Sequence, residues 1–101
     1  MANKLDNLKQ RIIKDLEELY WPTWDPSPKR EKLAQDVREL FGLPVGSLRY
    51  YRLKADLIKT IGRNAIEEYG RGKDGQGMLT LRIFDDLTYV LSELEEELRG
   101  K

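Results

Sequence analysis

The stretch SLRYYRLKADLIKTIGRNAIEEY, residues 47–69, decides how the rest of the chain is read. Wound as a helix at about 100° per residue, it puts Tyr50, Leu57, Ile58, Ile61, Ala65 and Tyr69 on one broad face. Arg49, Arg52, Lys59 and Arg63 then share an arc of roughly 80° on the opposite side. Lys54 falls near the middle of the apolar arc. Two readings follow: one helix in which Lys54 snorkels out along its stem, or two shorter helices meeting near residues 53–55.

Outward from this segment the same periodicity repeats. Leu5, Leu8, Ile12, Leu16 and Leu19 step by three and four, with Ile13 and Tyr20 beside them, which predicts a helix over 3–20. Ser27-Pro28 supplies a hydroxyl N-cap and a proline at the first helical position. Leu33, Ala34, Val37, Leu40 and Phe41 carry that helix to 41, where Gly42 suits a C-terminal cap. Near the end, Phe84, Leu87, Leu91, Leu94 and Leu98 repeat with Ile83 and Val90 alongside. Two heptads are short for a coiled coil, so this stripe predicts packing in a bundle. Leu79, Leu81 and Ile83 alternate like a strand, but no partner strand is evident.

Two segments punctuate the helices. WPTWDPSP (21–28) cannot continue a helix through its prolines. It reads as an ordered, extended connector with Trp21 and Trp24 clamped on the core; exposed, the pair would mark a partner patch. GRGKDGQG (70–77) has four glycines in eight residues and reads as a mobile loop. The expected fold is all-α, a compact four-helix arrangement in one domain over 1–101. Its helices lie at 3–20, 28–41, 45–69 (with the break near 53–55 as the alternative) and 80–98.

Composition removes several kinds of function. With no Cys and no His, disulfides, thiol nucleophiles, the usual zinc sites and imidazole acid–base chemistry are excluded. MANKLDNLKQ lacks the apolar centre of a signal peptide, and no apolar run approaches the roughly 20 residues of a membrane span. The expected location is cytoplasmic, with no membrane partner. Net charge is zero, so no whole-molecule field attracts nucleic acid. Charge is segregated instead. Residues 47–73 hold seven basic and three acidic side chains, and residues 78–101 hold three basic and six acidic. A hairpin of the last two helices would neutralise part of this.

Gly70-Arg71-Gly72-Lys73-Asp74-Gly75 spells G-x-G-x-x-G, but a helix precedes it where a dinucleotide site needs a strand. It reads as a chance match in which Arg71 and Lys73 can still touch phosphate. The carboxylate pairs Asp85-Asp86 and Glu67-Glu68, and those within Glu95 to Glu97, point about 100° apart on a helix and do not converge. No catalytic, cofactor-binding or metal residue is expected, no cofactor, and no small-molecule substrate; the chain reads as a non-enzyme.

The segment Gly42-Leu43-Pro44-Val45-Gly46-Ser47-Leu48-Arg49-Tyr50-Tyr51 resembles the helix-turn-helix core of MerR-type regulators. Gly42 matches the turn glycine, Ser47 the threonine, and Leu48-Arg49-Tyr50-Tyr51 the Leu-Arg-Tyr-Tyr of the recognition segment. The resemblance implies DNA-backbone contacts by Arg49 and by Tyr50 or Tyr51. It covers about a tenth of the chain. Arg38 replaces the usual small residue of the first helix, and the wing segment of that family is absent downstream.

The function expected from these features is a small non-catalytic helical interaction protein, an accessory subunit or regulator that binds a protein partner or a second copy. Self-association is expected through the Phe84–Leu98 stripe. The alternative is a DNA- or RNA-binding regulator using a helix-turn-helix-like segment at 37–53 and the basic face. The candidate contact residues are Arg49, Tyr50, Arg52, Lys59, Arg63, Arg71 and Lys73.

Overall fold

The computed structural model describes residues 4–20 and 28–100. They form four α-helices: α1 (Lys4–Tyr20), α2 (Pro28–Gly42), α3 (Leu48–Gly70) and α4 (Asp74–Arg99), with no strand among the described residues. Each helix packs on its neighbours in sequence, and α4 closes the ring against α1. Trp21, Trp24 and the Ser27 cap lie outside the described residues.

The core is built from the stripes that the three- and four-residue spacing predicts. Ile12 and Leu16 come from α1, and Leu33, Ala34, Val37 and Leu40 from α2. Tyr50, Leu57, Ile61 and Ala65 from α3 meet Ile83, Leu87, Val90 and Leu91 from α4. Leu5, Leu8, Ile13, Phe41, Leu53, Phe84 and Leu94 pack around this centre, partly buried. Full burial of one such aliphatic side chain stabilises by roughly 1.5–3 kcal/mol relative to exposure, which outweighs any surface pair in the molecule.

Ser47 fixes where α3 begins, because its hydroxyl accepts from the Tyr50 amide at 3.2 Å. Gly46 just before it has φ +94°, and a Cβ there would stand 3.1 Å from the Leu98 side chain. The left-handed backbone is what favours glycine there.

One alternative is settled and two expectations are corrected. First, α3 does not break near 53–55; it runs unbroken from Leu48 to Gly70. Lys54 is accommodated in the apolar arc by a carboxylate on the neighbouring helix, Glu95, which accepts from its ammonium at 2.7 and 3.0 Å. Second, GRGKDGQG is not a loop throughout. The Lys73 amide donates to Glu68 O at 2.8 Å and the Gly72 amide to Tyr69 O at 3.1 Å, with Gly72 at φ +77°. That is a Schellman cap with glycine at C′, and α4 starts at Asp74, six residues before the expected 80. Gly77 is buried, and a Cβ on it would lie 2.8 Å from the Tyr69 ring. It is glycine so that the ring can lie against the first turn of α4. Third, most of the Phe84–Leu98 stripe faces inward: Leu87 and Leu91 are buried, Phe84 and Leu94 partly so, and only Leu98 at its end is exposed. Its members from Phe84 to Leu94 build the monomer core and offer no free surface.

Candidate interaction surface

The candidate residues divide into those held within the bundle and those facing solvent. Tyr50 is fully buried, and its phenol donates to Glu95 Oε2 at 3.2 Å. Burial first, and the negative charge of Glu95 next, push that phenol above its ordinary pKa. Glu95 thus accepts from both Tyr50 and Lys54, joining two turns of α3 to α4. The helix-turn-helix resemblance named Tyr50 or Tyr51 as a backbone contact; Tyr51 is the exposed one of the two.

Arg49 reaches back to α2, where its Nε donates to Glu39 Oε1 at 2.8 Å. Other pairs tie helix to helix elsewhere: Arg11 with Asp86 at 2.7 Å between α1 and α4, and Arg38 with Glu17 between α2 and α1. Arg52, Lys59, Arg63, Arg71 and Lys73 are exposed and carry no ion pair among the described residues. Neutralisation between the basic and acidic helices is therefore confined, among the described residues, to Lys54–Glu95.

Helical geometry places the free cations in company. At about 100° per residue, Leu48, Arg52, Ala55, Lys59 and Ile66 fall within roughly 60° of one another on the outer side of α3, with Arg63 beside them. On α4, Met78, Leu81, Asp85, Tyr89 and Glu96 share an arc of roughly 80° opposite the core stripe. Both arcs lie away from the core; between the two helices Lys54 and Ile58 of the apolar arc, with Ser92, Glu95 and Glu96, line a cleft of about 300 Å³.

Large apolar side chains are exposed along this face. Leu48, Ile66 and Met78 are 66%, 73% and 65% exposed, and Tyr51, Tyr69, Leu81 and Tyr89 are also exposed. Ile66, Tyr69, Met78 and Leu81 gather at the hairpin tip, where Gly77 lets Tyr69 lie close to α4. Reading the sequence for core stripes passes over these residues. The signal that finds them is their place on the wheel, apolar among the charges of the outer side.

Among the described residues no group of three or more acidic side chains converges as a metal site would require, and no helix is long and apolar enough to cross a membrane. Comparison with protein-family models, with curated proteins and with solved structures gave no match.

Proposed function

We propose that this chain is a non-catalytic interaction module that docks a protein through the outer face of α3 and α4. One observation carries the reading: the exposed apolar cluster Ile66, Tyr69, Met78 and Leu81 at the hairpin tip, with exposed Tyr89 farther along α4. Single exposed apolar residues are ordinary, whereas a contiguous set rimmed by charges marks a surface that is covered in use. Covering Ile66 and Met78 alone stabilises a complex by about 3 kcal/mol or more before the costs of association.

The test uses a photo-crosslinking amino acid at position 66, with the same group at exposed Gln35 on α2 as control. An adduct of discrete mass at 66, absent at 35 and lost on Met78→Glu, is the expected result. Equal labelling from both positions, or none from 66, overturns the reading.

A second reading has its own support, since Arg52, Lys59 and Arg63 project from α3 without partners among the described residues. Facing a nucleic acid, they would neutralise about three phosphates, giving a slope of log affinity against log salt of about −3. Arg52→Ala with Lys59→Ala would weaken binding to all sequences alike, since phosphate contacts position and do not specify. A gel shift with random duplex and single-stranded DNA at low salt decides it; no shift at tens of micromolar protein removes this reading.

A further inference from the structure

Resting on the reading of the α3–α4 face as a docking surface, we infer that its occupant is a second copy of this chain, with α3 of each copy lying over α4 of the other. Charge selects both the partner and the arrangement. The outer side of α3 presents the cations Arg52, Lys59 and Arg63, with the single carboxylate Asp56 at its edge about 20° beyond Arg63, and Glu67 farther toward α2. The outer side of α4 presents Asp74, Asp85, Glu93 and Glu96, which carry no ion pair among the described residues, against the two cations Arg82 and Arg99. One face therefore bears a mainly basic strip beside a mainly acidic one.

A face with two complementary strips is self-complementary under one kind of two-fold axis. An axis perpendicular to the helices would lay α3 on α3, cation row against cation row. An axis parallel to them lays each α3 on the partner's α4, basic strip on acidic strip. In that arrangement the tips of the two hairpins fall at the same height, and apolar cluster meets apolar cluster.

Register adds an independent check. Within one copy, Tyr50 and Lys54 stand level with Glu95, Gly62 with Phe84, and Glu68 with Thr80. The same register puts Arg52 level with Glu96, Lys59 with the Tyr89 ring, Arg63 with Asp85, and Ile66 with Leu81. Inside one copy Arg52, Lys59 and Arg63 point away from α4. Across the parallel axis they oppose these residues.

The face is also large enough. Helices of 23 and 26 residues at about 1.5 Å per residue run roughly 35 Å, and two helices side by side span about 20 Å. That footprint of roughly 700 Å² per copy is near the standard size of a specific interface. The zero net charge of the chain leaves no overall repulsion between copies.

The test is a charge exchange followed by sedimentation equilibrium of the full chain from micromolar to hundreds of micromolar. The unaltered chain should dimerise. Arg52→Glu alone puts Glu against Glu at both ends of its dimer, and Glu96→Arg alone puts Arg against Arg. Each should weaken self-association about tenfold or more. Mixed in equal amounts, the two variants pair every Glu with an Arg and should return to within about threefold of the original affinity. Both positions are exposed, and unchanged helical circular dichroism confirms folding. An unaltered chain that stays monomeric, single variants that dimerise normally, or a mixture that does not recover overturns the arrangement. If the chain is monomeric while position 66 still crosslinks one discrete foreign protein, the second copy is refuted and the docking face stands. Loss of both refutes both.

Discussion

Replacing Lys54 with Met and Glu95 with Gln, singly and together, isolates the ion pair that keeps α3 whole. The side chains are 27% and 13% exposed, and both carboxylate oxygens accept from the ammonium, at 3.0 and 2.7 Å. Exposed pairs contribute about 0–1 kcal/mol, and breaking a fully buried one costs about 3–5 kcal/mol; this pair lies between. Lys54→Met leaves the less exposed partner, the Glu95 carboxylate, with only the Tyr50 hydroxyl. A loss of about 1–2 kcal/mol is expected. Glu95→Gln keeps an acceptor for Tyr50 and should cost about 1 kcal/mol. With both charges gone no uncompensated ion remains, so the double variant should cost less than the sum, by a coupling energy of about 1 kcal/mol. Urea unfolding followed by circular dichroism, at dilutions below association, reads these values directly. Effects that add to within about 0.3 kcal/mol would refute the account, and Lys54 would then be tolerated in the apolar arc through its stem alone.

Tyr50 should make stability fall at alkaline pH. Its folded-state pKa is raised above the ordinary 10.0, so its contribution is complete below that pH and is lost as pH climbs through the folded value. The urea midpoint of the unaltered chain should drop above pH 10.0, and that of Tyr50→Phe should drop less. Gly77→Ala should cost about 1–3 kcal/mol by driving a methyl against the Tyr69 ring, whereas Gly75→Ala, with open space around it, should gain about 0.4–1 kcal/mol; thermal melts separate the two. Because docking selects the folded chain, the melting temperature should rise with protein concentration, and less so in Ile66→Glu.

The four helices and their inward stripes were legible because the sequence spaces apolar residues by three and four, and the core uses that spacing almost unaltered. The start of α4 was not legible, since four glycines in eight residues say "loop" by count alone. In the structure Gly72 serves as a cap and Gly77 as a packing surface, a distinction carried by Tyr69 eight residues earlier on another helix. Lys54 was visible as an anomaly, but its resolution lies in Glu95, forty-one residues away. The same gap explains the candidate site. Sequence spacing put Arg52, Lys59 and Arg63 on one outer arc, yet it could not show that Arg49 turns to Glu39 or that Tyr50 is enclosed. Those outcomes depend on which helices become neighbours.

Helix α4 carries apolar side chains on two sides: Ile83, Leu87, Val90 and Leu91 inward, Met78, Leu81 and Tyr89 outward. In a bundle of this size only the inward set is covered by the chain itself. A domain of about 100 residues is stable by roughly 5–10 kcal/mol, so covering Ile66 and Met78 is worth a sizeable fraction of the whole. Two large exposed apolar side chains, beside cations on α3 and carboxylates on α4 that are unpaired among the described residues, fit a face that is covered in use. Arg49 and Glu39 make the contrast plain: the cation that turns toward α2 finds a carboxylate within its own bundle, and the three that turn outward have none among the described residues.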